Sequence, residues 1–244
     1  MSYKYIVNHI PKTANGVKNP KRPAHHINWW EYITIHTTGN PNSSALAERR
    51  WLTNINNKSV VAYHFVVDEF NLIECIPPWE NAWHCGDGAN GTGNRKSIGL
   101  EICEYGNLTK SVNNAVHFVA NLIVDKVNRT GLDIRVRDVV VQHNRWNGSN
   151  CPRLLRVGGK WERFLVDVET MVKDMLVKKV EKVEEKKSEI TQIDHELTSA
   201  INYLKRYHEP TEYRELVFRL KQIIENSYEK NDLSREQLRQ IFRR

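Results

Sequence analysis

No apolar run in this 244-residue sequence approaches the roughly 20 residues that a membrane-spanning helix needs. The mean hydropathy of −0.60 points the same way. Residues 1–16 also lack the uninterrupted apolar core of a secretory signal peptide. We therefore expect that the protein does not insert into a membrane and that it is made in the cytoplasm. If it acts outside the membrane, another component must release it.

Cysteine is scarce, with four residues in the chain. In a protein made in the reducing cytoplasm these are expected to be thiols or metal ligands, because disulfide frameworks belong to oxidising compartments. A strong charge of one sign is missing too, since the net charge is +7 and the excess is spread thinly. Without a concentrated basic arm, the sequence does not predict binding to nucleic acid.

The carboxyl-terminal part of the chain has a composition of its own. Glycine and tryptophan are absent after Trp161, and residues 178–189 are nearly all charged. This change predicts three parts. We expect a globular domain over residues 1–172, a charged helical linker over residues 173–190 and a small helical module over residues 191–244.

Strands and helices are predicted from the spacing of apolar residues. The second and third strands are separated by a two-residue turn, which indicates an antiparallel pair. Residues 1–31 are expected to be irregular, and residues 77–94 to form a long loop of the kind that is usually functional. The predicted strands cover residues 32–36, 60–68, 71–76, 97–104 and 139–141, and the helices cover residues 44–57, 111–129 and 160 onward.

The loop after the last strand, HNRWNGSNC, carries two soft metal ligands. His143 ends a run of valines and Cys151 follows eight residues later, so an imidazole and a thiolate can meet on one zinc-like ion. His36 ends another predicted strand. Taken singly, such a histidine is more often a hydrogen-bonded core residue, and a lone cysteine a small apolar one. Glu101 resists that interpretation, because a carboxylate between aliphatic neighbours needs a partner.

Five sequence blocks, in order, carry a resemblance to a known family. They are IHTTGN, AYHFVVDE, IPPWENAWHCGDG, NRKSIGLEICEYG and QHNRWNGSNCPR, and they span roughly residues 30–170. Together they resemble the zinc N-acetylmuramoyl-L-alanine amidases of the phage-lysozyme and peptidoglycan-recognition-protein family, above all the endolysins of Bacillus phages. The resemblance implies an α/β fold with a mixed central β-sheet flanked by helices, to which the tail adds its small all-helical module.

Carried over position by position, the resemblance implies zinc ligands at His36, His143 and Cys151, with the fourth position left to water. Zinc lowers the pKa of bound water to about 7, so a nucleophile is available at neutral pH. Glu101 matches the family's general base, which then gives its proton to the leaving amine. Tyr63 matches a tyrosine that can donate to the oxyanion. The alternative for Tyr63 is a half-buried strand aromatic.

One position departs from the family pattern. Many relatives have a lysine two residues before the metal-binding cysteine, and this chain has Ser149. We hypothesise that Tyr63, Arg145 or Arg153 compensates for the missing cation. His64 is excluded from the ligand set, because it follows Tyr63 and successive side chains in a strand point to opposite faces.

The long loop and the metal loop offer candidate substrate contacts. Indole rings stack on sugars and arginine binds carboxylates, although loop packing explains each candidate equally well. His84 and Cys85 resemble ligands, but they fall in the loop that the family uses around its substrate. The candidate contacts are Trp83, Asp87, Arg95 and Trp146.

The function that the resemblance implies is hydrolysis of peptidoglycan, at the amide between the lactyl group of N-acetylmuramic acid and the L-alanine of the stem peptide. A phage or prophage endolysin of this kind waits in the host cytoplasm until a holin opens the membrane, which agrees with the missing signal peptide. The alternative is a non-catalytic peptidoglycan-binding protein on the same fold, against which Cys151 argues. For residues 191–244 we expect cell-wall targeting, with self-association through the helices as the alternative.

Overall fold

The structure, a computed structural model, describes residues 3–14, 16–25 and 30–207. The chain divides into two compact units, Met1–Leu176 and Val177–Arg244. Most of the predicted carboxyl-terminal module lies outside the described residues. Within the described part, no helix is both long enough and apolar enough to cross a membrane.

The secondary structure of the described residues alternates between strands and helices. The strands are β1 (Lys4–Val7), β2 (Thr13–Ala14), β3 (Val17–Lys18), β4 (Tyr32–Thr37), β5 (Phe65–Val67), β6 (Asn71–Glu74), β7 (Ser97–Ile102) and β8 (Val140–Gln142). The helices are α1 (Ala45–Leu52), α2 (Thr92–Lys96), α3 (Leu108–Thr130), α4 (Val136–Val139), α5 (Asn144–Asn147) and α6 (Lys160–Tyr207).

A six-stranded mixed sheet forms the centre of the first unit, in the order β1-β6-β5-β7-β4-β8. β5 and β6 pair antiparallel, as predicted, and the other neighbours in this sheet pair in parallel. β2 and β3 form a separate antiparallel pair. The α/β fold with a mixed central sheet is therefore confirmed.

One face of the large sheet is aliphatic and forms the main core. Ile33 and Ile35 of β4 and Leu100 of β7 are fully buried, in one cluster with Phe118 of α3 and Phe164 of α6. Each such side chain contributes roughly 1.5–3 kcal/mol on burial. Since a one-residue slip would turn every aliphatic side chain to the other face, this core sets the register of the central strands.

The opposite face of the sheet carries the polar residues. Because side chains alternate along a strand, His36 of β4 and Glu101 of β7 face away from the aliphatic core. The register places His36 directly beside Glu101, and Glu101 beside Val66 of β5. Val66 belongs to a second apolar cluster, to which α1 contributes Leu52. Polar residues and a smaller core therefore share this face.

Two predicted segments differ from the structure. The strand predicted over residues 60–68 begins only at Phe65, because the preceding residues bond to a loop: the backbone N–H of Ala62 donates to the carbonyl of Trp83 over 3.1 Å. Residues 4–7, expected to be irregular, form β1 at the edge of the sheet. That strand is short and mostly exposed, so its sequence shows no alternation.

Buried cations fix the amino-terminal arm, residues 16–25, to the first unit. Lys21 donates from Nζ to the carbonyl of Leu52, at the end of α1, over 2.9 Å. Arg22 forms a bidentate ion pair with Glu80. Its Nε donates to Oε2 of Glu80 over 2.7 Å, and its Nη2 donates to Oε1 over 2.9 Å. Because Glu80 lies in the predicted long loop, the arm and that loop hold each other in place.

Candidate metal centre

Three neighbouring parallel strands of the sheet end at the same edge. β4 lies between β7 and β8 and pairs in parallel with both. His36 is the last residue but one of β4, Glu101 holds the same place in β7, and His143 follows β8 directly. Since the carboxyl ends of parallel strands open onto a common crevice, this topology brings three predicted site residues together.

Cys151 completes a group of metal-ligating side chains at this edge. Ligand atoms of His36, His143 and Cys151 all lie within 4.8 Å of one another. Sγ of Cys151 is 3.8 Å from Nδ1 of His36, and the two imidazole centroids are 4.5 Å apart. The backbone N–H of Asn144 donates to the carbonyl of Cys151 over 2.9 Å and closes the loop between them. The three predicted ligands therefore converge.

Burial favours the uncharged form of each of the three donor side chains. Burial and neighbouring imidazoles lower the pKa of His36 well below its usual value, and burial lowers the pKa of His143. Burial raises the pKa of the Cys151 thiol to about 12. At neutral pH the metal-free imidazoles are thus uncharged and ready to bind a metal, whereas the thiol must first lose its proton.

Glu101 faces the donors with an unsatisfied carboxylate. Oε1 lies 3.8 Å from Nδ1 of His36, and Oε2 is buried without a hydrogen-bond partner among the described residues. Burial, together with the negative charges of Glu48 and Glu104, raises the pKa of Glu101 to about 8. A buried carboxylate oxygen without a partner fits a site that receives water, a proton or a cation.

The donors lie in the wall of a cavity of about 730 Å³. Two connecting segments also contribute to the wall: Val60 and Val61 precede β5, and Trp83 belongs to the long loop. Val60 and Val61 are 53% and 50% exposed, so they present apolar surface at this cavity. The volume is in the range of pockets that bind small molecules.

Tyr63 and Trp83, two predicted site residues, lie in different settings. Trp83 lines the cavity, and its indole N–H donates to the carbonyl of Pro20 over 3.1 Å. Tyr63 is buried in the second apolar cluster, and its hydroxyl lies 3.5 Å from Oε2 of Glu48. The described residues that line the cavity do not include Tyr63. The phenol is therefore directed at a neighbouring carboxylate.

The other three predicted substrate contacts make hydrogen bonds to neighbouring residues of the loops or of β4. Asp87 accepts two backbone N–H groups at the start of α2, over 2.7 and 3.2 Å. Arg95 donates to the carbonyl of Ala89 over 3.4 Å, and the indole N–H of Trp146 donates to Oγ1 of Thr34 over 2.9 Å. These contacts hold the local structure together, and a role in binding substrate stays a prediction for all three.

Ser149, which stands where many relatives have lysine, is approached by a cation from further along the chain. Arg156 donates from its guanidinium to the carbonyl of Ser149 over 3.0 Å. The two arginines predicted to compensate are engaged with other groups: Arg153 pairs with a buried glutamate, and Arg145 lies over a tyrosine ring, 5.0 Å from its centroid. Sequence reasoning missed Arg156, because only the folded loop brings it back to Ser149.

His84 also belongs to the site, although its sequence position predicted a loop around the substrate. It is 4% exposed, and its Nδ1 lies 3.0 Å from Nε2 of His36. His84, Cys85 and His36 form a second group of potential ligands, which shares His36 with the first. The sequence signal for this packing is Gly99 in β7, where a Cβ would lie 2.6 Å from the His84 ring. A glycine inside a strand marks such a close approach.

An α/β sheet that carries three His and Cys donors and a carboxylate at its carboxyl edge, beside a cavity, has the parts of a mononuclear metallohydrolase. The sequence model of one family, described as N-acetylmuramoyl-L-alanine amidase, matches residues 25–154. That match covers more than half of the 244 residues, and the chain belongs to this family.

Known relatives agree with this assignment. The chain is 40% identical over 181 residues to the N-acetylmuramoyl-L-alanine amidase CwlA of Bacillus subtilis (strain 168). The aligned region covers 72% of this chain and 60% of that relative. It is 34% identical to the solved catalytic domain of XlyA, with a TM-score of 0.57, over 68% of this chain and 99% of that domain. A solved mutant endolysin from Bacillus subtilis is 35% identical, with a TM-score of 0.57 and the same coverage. The resemblance seen in the sequence is thus confirmed.

Proposed function

We propose that this chain is a zinc-dependent N-acetylmuramoyl-L-alanine amidase that acts on bacterial peptidoglycan. The observation that carries the proposal is the convergence of His36, His143 and Cys151 beside the unpartnered carboxylate of Glu101, in a chain of this family. The chain spans 60% of the length of its relative CwlA, so the activity of the whole protein is part of the proposal.

The donor set fits zinc. Two imidazoles and one thiolate are ligand types that zinc prefers, and three protein ligands leave one position open, as in catalytic zinc sites. His36, His143 and Cys151 would hold the ion. A bound zinc ion would act as a Lewis acid, which lowers the pKa of water and polarises a carbonyl group.

Glu101 moves the proton in the proposed reaction. Its carboxylate accepts a proton from the water that attacks the lactyl carbonyl carbon, which forms a tetrahedral intermediate whose C–N bond to L-alanine then breaks as the nitrogen is protonated. The same carboxyl group donates that proton to the leaving nitrogen, so the products are a lactyl carboxylic acid and a free L-alanine amine. Val60, Val61 and Trp83 supply the cavity surface that holds the substrate.

Mass analysis of digested peptidoglycan tests the proposal. We expect new L-alanine amines without new reducing sugars, and loss of about 10²–10⁴-fold of the rate in Glu101→Gln. Cys151→Ser serves as the metal-ligand control and is also expected to be inactive. New reducing ends would assign the chain to another class of wall hydrolase, and binding without cleavage would support the non-catalytic alternative.

The proposed role of Tyr63 has its own test. Its predicted role is donation to the oxyanion, whereas its hydroxyl lies beside Glu48. Replacing it by phenylalanine removes the hydroxyl and keeps the ring in the apolar cluster. Unchanged turnover in Tyr63→Phe would remove the phenol from the mechanism, and a loss of about 10²-fold, as for an oxyanion donor, would restore it.

The tail and the site of action remain part of the proposal. We keep the interpretation of residues 173–190 as a linker and of residues 191–244 as a wall-targeting module, with release from the host cytoplasm through a holin. Binding of the Glu101→Gln chain to intact walls, compared with the same chain ended at Leu176, tests the tail. Equal binding, together with self-association of the longer chain alone, would favour the dimerisation alternative.

A further inference from the structure

Two buried histidines, His84 and His36, form a hydrogen-bonded pair with a defined direction. Nε2 of His84 lies 3.3 Å from the backbone carbonyl oxygen of Ser97 in β7. A carbonyl oxygen can only accept, so a neutral His84 carries its proton on Nε2 and donates it to Ser97. Nδ1 of His84 is therefore an acceptor.

This acceptor determines the tautomer of His36. Nε2 of His36 lies 3.0 Å from Nδ1 of His84, and a hydrogen bond between them needs one proton. Because Nδ1 of His84 has none, Nε2 of His36 donates. Nδ1 of His36 then keeps a free lone pair, and this is the nitrogen that lies 3.8 Å from Sγ of Cys151 and 3.8 Å from Oε1 of Glu101.

We propose that His84 is a positioning residue, which holds His36 in the Nε2–H tautomer and so presents Nδ1 to the metal. The proposal rests on the zinc site of the proposed function. Ligating histidines commonly donate their second N–H to an acceptor that orients the ring and raises its basicity. Here a second histidine serves as that acceptor, and it is in turn anchored to the backbone of a core strand.

The residue after His84 contacts the other imidazole ligand. Nε2 of His143 lies 3.0 Å from the backbone carbonyl oxygen of Cys85 and 3.1 Å from Nδ2 of Asn147. The carbonyl oxygen only accepts and the amide NH2 only donates, so these two contacts do not fix the tautomer of His143. The dipeptide His84-Cys85 therefore contacts both ligating histidines and sets the tautomer of one of them, His36.

This dipeptide is itself held firmly. Oδ1 of Asn94 accepts the backbone N–H groups of both His84 and Cys85, each over 2.8 Å. Gly99 leaves the space that the His84 ring occupies, since a Cβ at that position would lie 2.6 Å from Nδ1 of His84. Such packing suits an orienting residue, whose ring must not turn.

One competing interpretation uses the same atoms. Sγ of Cys85 lies 3.2 Å from Nδ1 of His84, so His36, His84 and Cys85 could themselves surround a metal ion. In that case Cys85 would be a ligand and His84 would bind the ion directly. The two interpretations differ in zinc stoichiometry and in the effect of removing the Cys85 thiol.

Nitrogen-15 NMR of the imidazole rings in the metal-free full chain tests the tautomers directly. We expect His36 and His84 both to be protonated on Nε2. In His84→Leu the preference of His36 for Nε2–H is expected to weaken, whereas His84→Asn, which keeps an acceptor oxygen near the position of Nδ1, retains it. An Nδ1–H tautomer for His36 in the wild-type chain would overturn the proposal.

Zinc affinity, measured by competition with a chromophoric chelator, gives the second readout. We expect one zinc ion per chain, affinity reduced about 10–100-fold in His84→Leu, and affinity within about threefold of wild type in His84→Asn and Cys85→Ala. A second equivalent of tightly bound zinc, or equal losses in Cys85→Ala and His84→Leu, would assign the buried group to the metal and overturn the positioning role.

The outcomes separate the two proposals. If the wild-type chain binds zinc and releases L-alanine amines, but His84→Leu keeps full zinc affinity, the role of His84 is wrong and the amidase proposal stands. If the wild-type chain binds no zinc, the metal site itself fails and the role of His84 fails with it. Circular dichroism of each variant identifies any that do not fold, and the wild-type NMR result then decides.

Discussion

Glu101 is held in surroundings that oppose its charged form. Its pKa in the metal-free fold is about 8, above the ordinary value of 4.5. The folded state therefore holds a proton on Glu101 more tightly than the unfolded chain does. The stability that this provides is complete below about pH 4.5 and is lost as the pH rises to about 8.

Replacing Glu101 with glutamine is expected to stabilise the metal-free protein while lowering the proposed catalytic rate by about 10²–10⁴-fold. At pH 8 we expect the free energy of unfolding to increase by on the order of 2 kcal/mol, since the cost of ionising a buried carboxyl group disappears. Urea unfolding with a chelator present, at pH 5 and pH 8, measures the effect. Glu181→Gln, at an exposed helical position, is the control and should change stability by less than about 0.5 kcal/mol. A loss of stability at pH 8 would contradict the assigned charge state.

Cys151 is expected to be the only one of the three donors that releases a proton when zinc binds at pH 7. The low pKa values of the two imidazoles leave them neutral, whereas the thiol, with a pKa of about 12, is protonated. Calorimetric titrations of the Glu101→Gln chain, in buffers of different ionisation enthalpy, should give about one proton released per zinc, and affinity should rise with pH. This variant is used because Glu101, with a pKa of about 8, is a second group that holds a proton at pH 7. Release of two or more protons by the Glu101→Gln chain would show that the imidazoles are charged.

At single positions, the sequence predicted the residues whose chemistry is local and missed those whose role depends on packing. His36, Glu101, His143 and Cys151 stand in recognisable blocks, and the fold brings them together. His84 acquires its contact with His36 only when β4, β7 and the long loop pack on one another. A sequence without that packing offers no distance between the two rings.

Among the larger elements, the amino-terminal arm has the most testable contribution to stability. Arg22 and Glu80 form a buried ion pair, and removing Arg22 takes the bidentate partner from a buried carboxylate that Lys12 also approaches at 3.7 Å. We expect Arg22→Ala to lower the free energy of unfolding by about 3 kcal/mol. Arg129→Ala is the matched control, because its ion pair with Asp125 is exposed and contributes about 0.5 kcal/mol or less. Equal effects in urea unfolding would mean that the arm does not depend on this pair.

The central strands were predictable and the outer ones were not, for a physical reason. Aliphatic residues stand at alternate positions in β4 (Ile33, Ile35) and β7 (Ile98, Leu100, Ile102), because one face packs on helices and the other carries the site. β1 has most of its side chains exposed, so core packing does not select a pattern there. Residues 60–64 are rich in β-branched and aromatic side chains, but the backbone N–H of Ala62 bonds to the loop carbonyl of Trp83. Strand propensity alone could not reveal that.

For the molecule as a whole, the first compact unit is expected to stand alone. Met1–Leu176 contains the six-stranded sheet, α3 and the part of α6 that supplies Phe164 to the main core. A chain ended at Leu176 should therefore unfold cooperatively and bind zinc as tightly as the full chain does. A chain ended at Lys160 loses Phe164 and its apolar neighbours and should not fold. If the longer of the two truncated chains also failed to unfold cooperatively, the boundary near residue 176 would be wrong.

The ends of β4, β7 and β8 carry the candidate metal ligands and the candidate general base, whereas the segments between the strands form much of the rest of the cavity wall. Surface segments tolerate changes in length and composition with little cost to the sheet beneath them. Natural variation in these segments can therefore reshape the cavity without disturbing the residues proposed to perform the reaction. A lineage of such chains can change its loops, and with them the cavity, while the candidate metal site stays the same.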